Sequence, residues 1–161
     1  MLHSLTTRVV LVLALAMTAP RAASAADQTI LGNQLVVKNP STPDRRKVVV
    51  KAMEAGSPDT IVGNPTAPGA TLSITVNGAT PSAQTFSLPG GTSPVTGKPF
   101  WHGDAVRGFT YEDSKGENGS VKVAQLKKSS GGVFQIKAVA VGKLGAIAVV
   151  PPNPGTGRLG V

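Results

Sequence analysis

The sequence predicts an all-β domain, an antiparallel β-sandwich of about eight short strands, with a small β-barrel as the alternative. Three observations support this fold class. Apolar and polar residues alternate with a period of two in several short runs, the pattern of half-buried strands. The chain holds 19 Gly and 13 Pro, which interrupt helix interiors and leave little room for long helices. Turn-forming residues separate the apolar runs at roughly 8 to 15 residue intervals, as in antiparallel sandwiches.

The first 25 residues have the pattern of a secretory signal peptide. Residues 1–8 are mildly basic, residues 9–19 form an almost unbroken apolar run, and residues 23–25 are the small triplet Ala-Ser-Ala. The apolar run is about half of the ~20 residues that a membrane-spanning helix needs. We therefore expect cleavage after Ala25 and export to the periplasm or the extracellular space. No later apolar run is long enough to span a membrane, so we expect no membrane span after cleavage.

The predicted strands follow in order from the apolar runs of residues 26–150, which we expect to form a single domain. The clearest alternation is that of Leu72, Ile74 and Val76 with intervening hydroxyl residues. The complete set of predicted strands is residues 30–37, 47–52, 71–76, 85–88, 109–112, 121–123, 134–140 and 146–149.

Turn chemistry separates these strands. Asn77-Gly78 is a strong hairpin signal, and Gly-rich turns at residues 115–119 and 129–132 predict a three-stranded meander over residues 108–141. Residues 55–69 and 90–99 are too rich in Pro and Gly for central strands and should be surface loops. Residues 151–161 form a Pro/Gly-rich tail.

The composition excludes several function classes. The chain has no cysteine, which rules out disulfides, thiolate metal sites and a thiol nucleophile, and favours a bacterial exported protein. Without the signal peptide, 14 basic residues oppose 8 acidic ones. Most lysines stand singly among apolar residues, so we expect solvated strand faces and no nucleic-acid partner. Attraction to an anionic envelope polymer is the functional alternative.

Catalytic groups are sparse. His102 is the only histidine after the signal peptide, and no G-x-S-x-G nucleophile motif occurs. The acids near it are typical of turns and strand edges, although paired acids for glycoside hydrolysis are conceivable among them; they are Asp104, Glu112, Asp113 and Glu117. We expect no catalytic residues, no metal site and no cofactor.

One local cluster stands out, the run Lys-Pro-Phe-Trp-His-Gly-Asp at residues 98–104. If Trp101 is exposed, its ring beside Phe100, His102 and Asp104 forms a ligand-binding patch that stacks on a sugar. If Trp101 is buried, it closes one end of the sandwich, and this is the interpretation we favour because the chain has few large aromatics. Since neighbouring strand residues face opposite sides, at least one of Phe100 and Trp101 should leave the core face.

Residues 98–150 resemble a segment that recurs in uncharacterised secreted proteins of Gram-negative bacteria. The similarity rests on Lys-Pro-Phe-Trp at residues 98–101, Gly-Phe-Thr-Tyr-Glu-Asp at 108–113, Lys-Gly-Glu-Asn-Gly at 115–119, and the lysine-spaced strands at 121–123 and 134–137. The resemblance implies an all-β envelope or extracellular module without an assigned activity. Taken together, we expect an exported, non-enzymatic structural or binding module, with a carbohydrate-binding module as the alternative.

Overall fold

The computed structural model describes residue 30 and residues 32–77 and 80–151. The predicted signal peptide, its cleavage site at Ala25 and almost all of the predicted tail lie outside these residues. Over the described ranges, no helix reaches the length and apolarity that a membrane crossing requires. The strands are β1 (Gly32–Lys38), β2 (Lys47–Glu54), β3 (Ala70–Val76), β4 (Ser82–Leu88), β5 (Trp101–Asp104), β6 (Gly108–Glu112), β7 (Val121–Lys128) and β8 (Phe134–Val141). Short 3-10 helices span Pro43–Arg45 and Gly142–Leu144.

The eight strands form two antiparallel sheets. The large sheet has the order β1-β2-β8-β7-β6-β5, and β3 and β4 form a separate hairpin. The sheets are not closed into a barrel, so the predicted all-β sandwich is confirmed. The predicted meander is also confirmed, because β6 pairs with β7 and β7 with β8.

The core lies between the hairpin and the inner face of the large sheet. Alternate residues of each strand point into the core. Val48 and Ala52 of β2 are buried there, and Ala138 and Ala140 of β8 lie beside them. The hairpin contributes the alternate residues of its two strands, which pack against aromatic residues of β5 and β6. The buried hairpin and aromatic residues are Ile74, Val76, Phe86, Leu88, Trp101, Phe109 and Tyr111.

The predicted strand at residues 146–149 is wrong. Ile147 and Val149 alternate into the core, yet the segment joins no sheet. A side chain of β4 replaces the strand ladder, because the Gln84 amide donates to the Ala146 carbonyl oxygen at 3.1 Å and accepts from the Ala148 amide at 2.7 Å. The segment is therefore held beside β4 by a side chain and not by backbone pairing.

Strand β5 is absent from the predicted set. Its four residues lie between a Pro-rich loop and a tight turn and do not form a long alternating run. Gly103 within it has a φ of 126°, and a side chain there would overlap the Gly108 carbonyl oxygen of β6. The strand depends on this close approach to β6, which local alternation does not reveal. The predicted loops at residues 55–69 and 90–99 hold no strand.

Candidate functional site

The two aromatic residues of the predicted patch lie in the core. Trp101 is 6% exposed and Phe100 is 5% exposed. The rings flank Tyr111, with centroid distances of 5.3 Å for Trp101 and 6.0 Å for Phe100. The indole Nε1 of Trp101 donates to the Leu88 carbonyl oxygen of β4 at 3.1 Å. Trp101 therefore joins the two sheets, and neither ring offers a face on which a sugar could stack.

The expectation that Phe100 or Trp101 leaves the core is wrong, because the alternation rule applies only within a strand. Strand β5 begins at Trp101, so Phe100 stands just before it. The preceding loop covers Phe100, whose amide donates to the Gly91 carbonyl oxygen at 3.0 Å. Residues Ser93 and Thr96 of this loop line the same cleft as Phe100.

The two polar residues of the predicted patch lie on the opposite side of β5. His102 and Asp104 are exposed on the outer face of the large sheet. Asp104 Oδ1 accepts from the amides of Arg107 at 2.7 Å and Val106 at 2.8 Å. The hydrogen bonds from Arg107 and Val106 hold the pKa of the Asp104 carboxyl below its ordinary value. The structure thus divides the predicted patch into a buried aromatic half and an exposed polar half.

The polar half borders a groove on the outer face of the large sheet. This groove, of about 1170 Å³, lies on the outer face of β5 to β8 and is closed on one side by the loop that contains Ser129. Its lining includes cations and hydrogen-bonding side chains, with Asp104 as its only acid. The polar side chains of its lining include those of His102, Arg107, Thr110, Lys127 and Gln135.

Lysines of several strands meet on the same outer face. Lys38 of β1 lies directly opposite Lys47 of β2, and Lys51 of β2 lies directly opposite Lys137 of β8. With Lys127 of β7, these five lysines define what we call the basic face. The outward positions of β1, β2, β7 and β8 hold no Asp or Glu. Like charges directly opposite each other in a sheet are destabilising, so this arrangement lowers the stability of the fold.

One cross-strand row joins the basic face to the groove. From Lys51 and Lys137 the row continues through Gln125 and Thr110 to His102 at the edge strand. With strands about 4.8 Å apart, the row spans about 19 Å from β2 to β5. The sequence shows the alternating lysines, but their convergence on one face depends on strand order and register.

Glu112 is exposed on β6 opposite Val123, whereas Asp113 and Glu117 hold the β6 to β7 turn together. Asp113 is buried and accepts from the amides of Glu117 at 3.0 Å and Asn118 at 2.7 Å. Glu117 accepts a hydrogen bond from the Ser93 hydroxyl. Both Asp113 oxygens and Glu117 Oε1 therefore accept hydrogen bonds from the turn and the neighbouring loop. Among the described residues, no three or more His, Asp or Glu side chains are grouped in a way that could hold a metal ion.

Comparison with known proteins assigns no function to this chain, so the proposed function is based on the site itself. No protein-family model, curated protein or solved structure matches the chain.

Proposed function

We propose that this protein is an exported, non-enzymatic binding module of the bacterial cell envelope or extracellular space, and that its ligand is an anionic glycan. The signal-peptide pattern of residues 1–25 supports export. The main observation in favour of an anionic ligand is that Lys51 and Lys137 lie directly opposite each other on the outer face, on the row that leads to the groove.

The basic face fits a polymer better than a small ion. Its charges are distributed over four strands instead of converging on one point. A row of half-buried valines separates the Lys38 and Lys47 pair from the Lys51 and Lys137 pair, and could contact the apolar faces of sugar rings; it comprises Val36, Val49, Val139 and Val123. Carboxylates repeated along a glycan would neutralise several lysines together.

The test measures binding to alginate, a polymer of uronic acids, with neutral dextran as the control polymer. Exposed ion pairs contribute about 0.2 to 1 kcal/mol each. The double substitution Lys51→Gln with Lys137→Gln should therefore weaken alginate binding by about 2- to 30-fold. Binding of the unchanged protein should also weaken as salt rises to about 0.15 M, because exposed charges are screened.

A matched double variant separates a defined site from net charge. Lys115→Gln with Lys143→Gln removes the same charge from two exposed residues that lie outside the strands. This variant should retain most of the alginate affinity. The variant at Lys51 and Lys137 should unfold at the same temperature as the unchanged protein or a higher one, because repulsion is relieved. Equal losses of affinity in the two double variants would reject the basic face as the site.

A further inference from the structure

Strand β3 has a hydrogen-bonding edge that no other described strand covers. Among the described strands, β3 pairs only with β4, so the backbone groups along its other side have no strand partner there. Exposed edges are usually protected by charges, bulges, prolines, short length or a covering segment. The seven residues of β3, Ala-Thr-Leu-Ser-Ile-Thr-Val, contain no charge and no proline, and its pairing with β4 has no bulge.

The other edges of the two sheets are protected. Strand β1 has an irregularity between Gly32 and Gln34 and ends at Lys38. Strand β5 has only four residues and ends at Asp104. Beside β4, residues 146–150 are held by the Gln84 side chain, and the Leu88 carbonyl oxygen at the end of β4 accepts from the Trp101 indole. The edge of β3 is therefore the place in this part of the fold that can accept another strand.

The sequence of β3 is complementary to itself in the antiparallel direction. If two copies pair with Ser73 opposite Ser73, then Leu72 lies opposite Ile74, Thr71 opposite Thr75, and Ala70 opposite Val76. Opposite residues in an antiparallel pair point to the same face. Leu72 and Ile74 would then face inward, and the hydroxyl residues Thr71, Ser73 and Thr75 would face outward. These are the faces they already occupy in the hairpin with β4.

Charge also favours a second copy at this edge. The whole chain carries a net charge of +8, yet residues 60–97 contain no charged residue. The lysines of the basic face lie on the other sheet. Two copies can therefore approach through their hairpins without placing like charges in contact.

An apolar groove lies beside the same edge. It has a volume of about 690 Å³, and its apolar lining includes Leu35, Val50, Leu72 and Ile74. Leu35 is 46% exposed although it lies on the core side of β1. A strand added to β3 would continue the small sheet towards this groove and shield the half-buried Leu72 from water.

We propose that two copies of this chain associate through β3, antiparallel and centred on Ser73, to form a four-stranded β4-β3-β3-β4 sheet with two-fold symmetry. Such an interface is isologous, since each copy uses the same strand. It leaves the basic face of both copies free and is independent of the proposed ligand.

Disulfide trapping tests the register directly. The chain has no cysteine, so Ser73→Cys introduces a single thiol that would lie opposite its symmetry mate. Directly opposite strand residues have Cα atoms about 4.5 to 5.5 Å apart, within the range that a disulfide can bridge. Under mild oxidation Ser73→Cys should become a covalent dimer. Thr85→Cys on β4 is the matched control, because its symmetry mate would lie three strand spacings away, about 14 Å, and it should remain monomeric.

Charge exchange tests the same contact without a covalent bond. Ser73→Lys and Ser73→Asp should each raise the dissociation constant of the dimer about tenfold or more, since like charges then lie opposite each other. An equimolar mixture of the two variants should recover the dimer. Thr85→Lys is the control: it adds the same charge and also removes the 2.8 Å hydrogen bond between the Ser73 and Thr85 hydroxyls. Its symmetry-related charges would be about 14 Å apart, beyond the ~8 Å Debye length at 0.15 M salt.

Sedimentation velocity across a concentration series measures the proportion of monomer and dimer for each variant. A dimer that dissociates in both single-charge variants, reforms in their mixture and persists in Thr85→Lys supports the proposal. A monomer at all concentrations, or failure of Ser73→Cys to cross-link, overturns it and indicates that something other than a second β3 covers this edge. Circular dichroism of each variant verifies that the sheets remain folded.

Discussion

Raising the pH above 10 should destabilise this protein through Tyr111. This residue is the only tyrosine of the chain, and it is almost completely buried between Phe100 and Trp101. Its hydroxyl lies 3.5 Å from an Asp113 carboxylate oxygen. Burial, followed by the negative charge of Asp113, raises the pKa of the Tyr111 hydroxyl from 10.0 to about 12.

The direction and size of the effect follow from linkage between protonation and folding. The unfolded chain ionises Tyr111 near its ordinary pKa of 10.0, whereas the folded chain retains the proton until about pH 12. Stability from this residue is therefore complete below pH 10 and is lost between pH 10 and 12. Two pKa units correspond to about 2.7 kcal/mol, a large share of the 5 to 15 kcal/mol that typically stabilises a domain.

The assay uses the fact that the chain has one Tyr and one Trp. Phenolate absorbance reports ionisation of Tyr111 alone, and fluorescence of Trp101 reports the core beside it. The two signals should change together, at a pH above 10. Tyr111→Phe is the control: its free energy of unfolding, measured in urea at each pH, should lack the loss due to Tyr111.

One result would refute this reasoning. If phenolate forms near pH 10 while Trp101 fluorescence stays that of the folded protein, then Tyr111 is solvated and the aromatic cluster does not exclude water.

Two further predictions concern the backbone. Gly108→Ala should prevent folding or lower the unfolding temperature severely, because Gly108 has a φ of 111° and a Cβ atom would overlap the Leu126 carbonyl oxygen of β7; Gly131→Ala, in an open turn, is the control and should fold normally. Gln84→Ala should destabilise the protein by about 1 to 3 kcal/mol in urea unfolding through the loss of two hydrogen bonds. It should also speed hydrogen exchange at the Ala148 amide, and unchanged exchange there would show that Gln84 does not hold the segment.

Much of the fold was predictable because strand alternation is a local property. Leu72, Ile74 and Val76 alternate with hydroxyl residues in the sequence, and in the structure the apolar three point inward. The same rule predicted a strand at residues 146–149, and Ile147 and Val149 of this segment are buried. It failed to predict that their segment joins no sheet, because a side chain of a residue more than 60 positions away provides the hydrogen bonds.

The candidate site was predictable only in part. His102 and Asp104 were singled out from the sequence and do border the groove, but for a reason unrelated to the two aromatic residues beside them. The sequence shows that Lys51 and Lys137 alternate with apolar neighbours. That they lie opposite each other depends on β8 pairing with β2, across more than 80 residues of chain.

The sequence alone determined the all-β class and most of the strands, because these depend on the nearest neighbours of each residue. It also determined that the chain has one Trp, one Tyr and no Cys. Only the tertiary structure decided that Phe100 and Trp101 are both buried, that the lysines share one face, and that β3 has an unpaired edge among the described strands. These features depend on which strands pair and in which register, and pairing is decided by burial of the whole core.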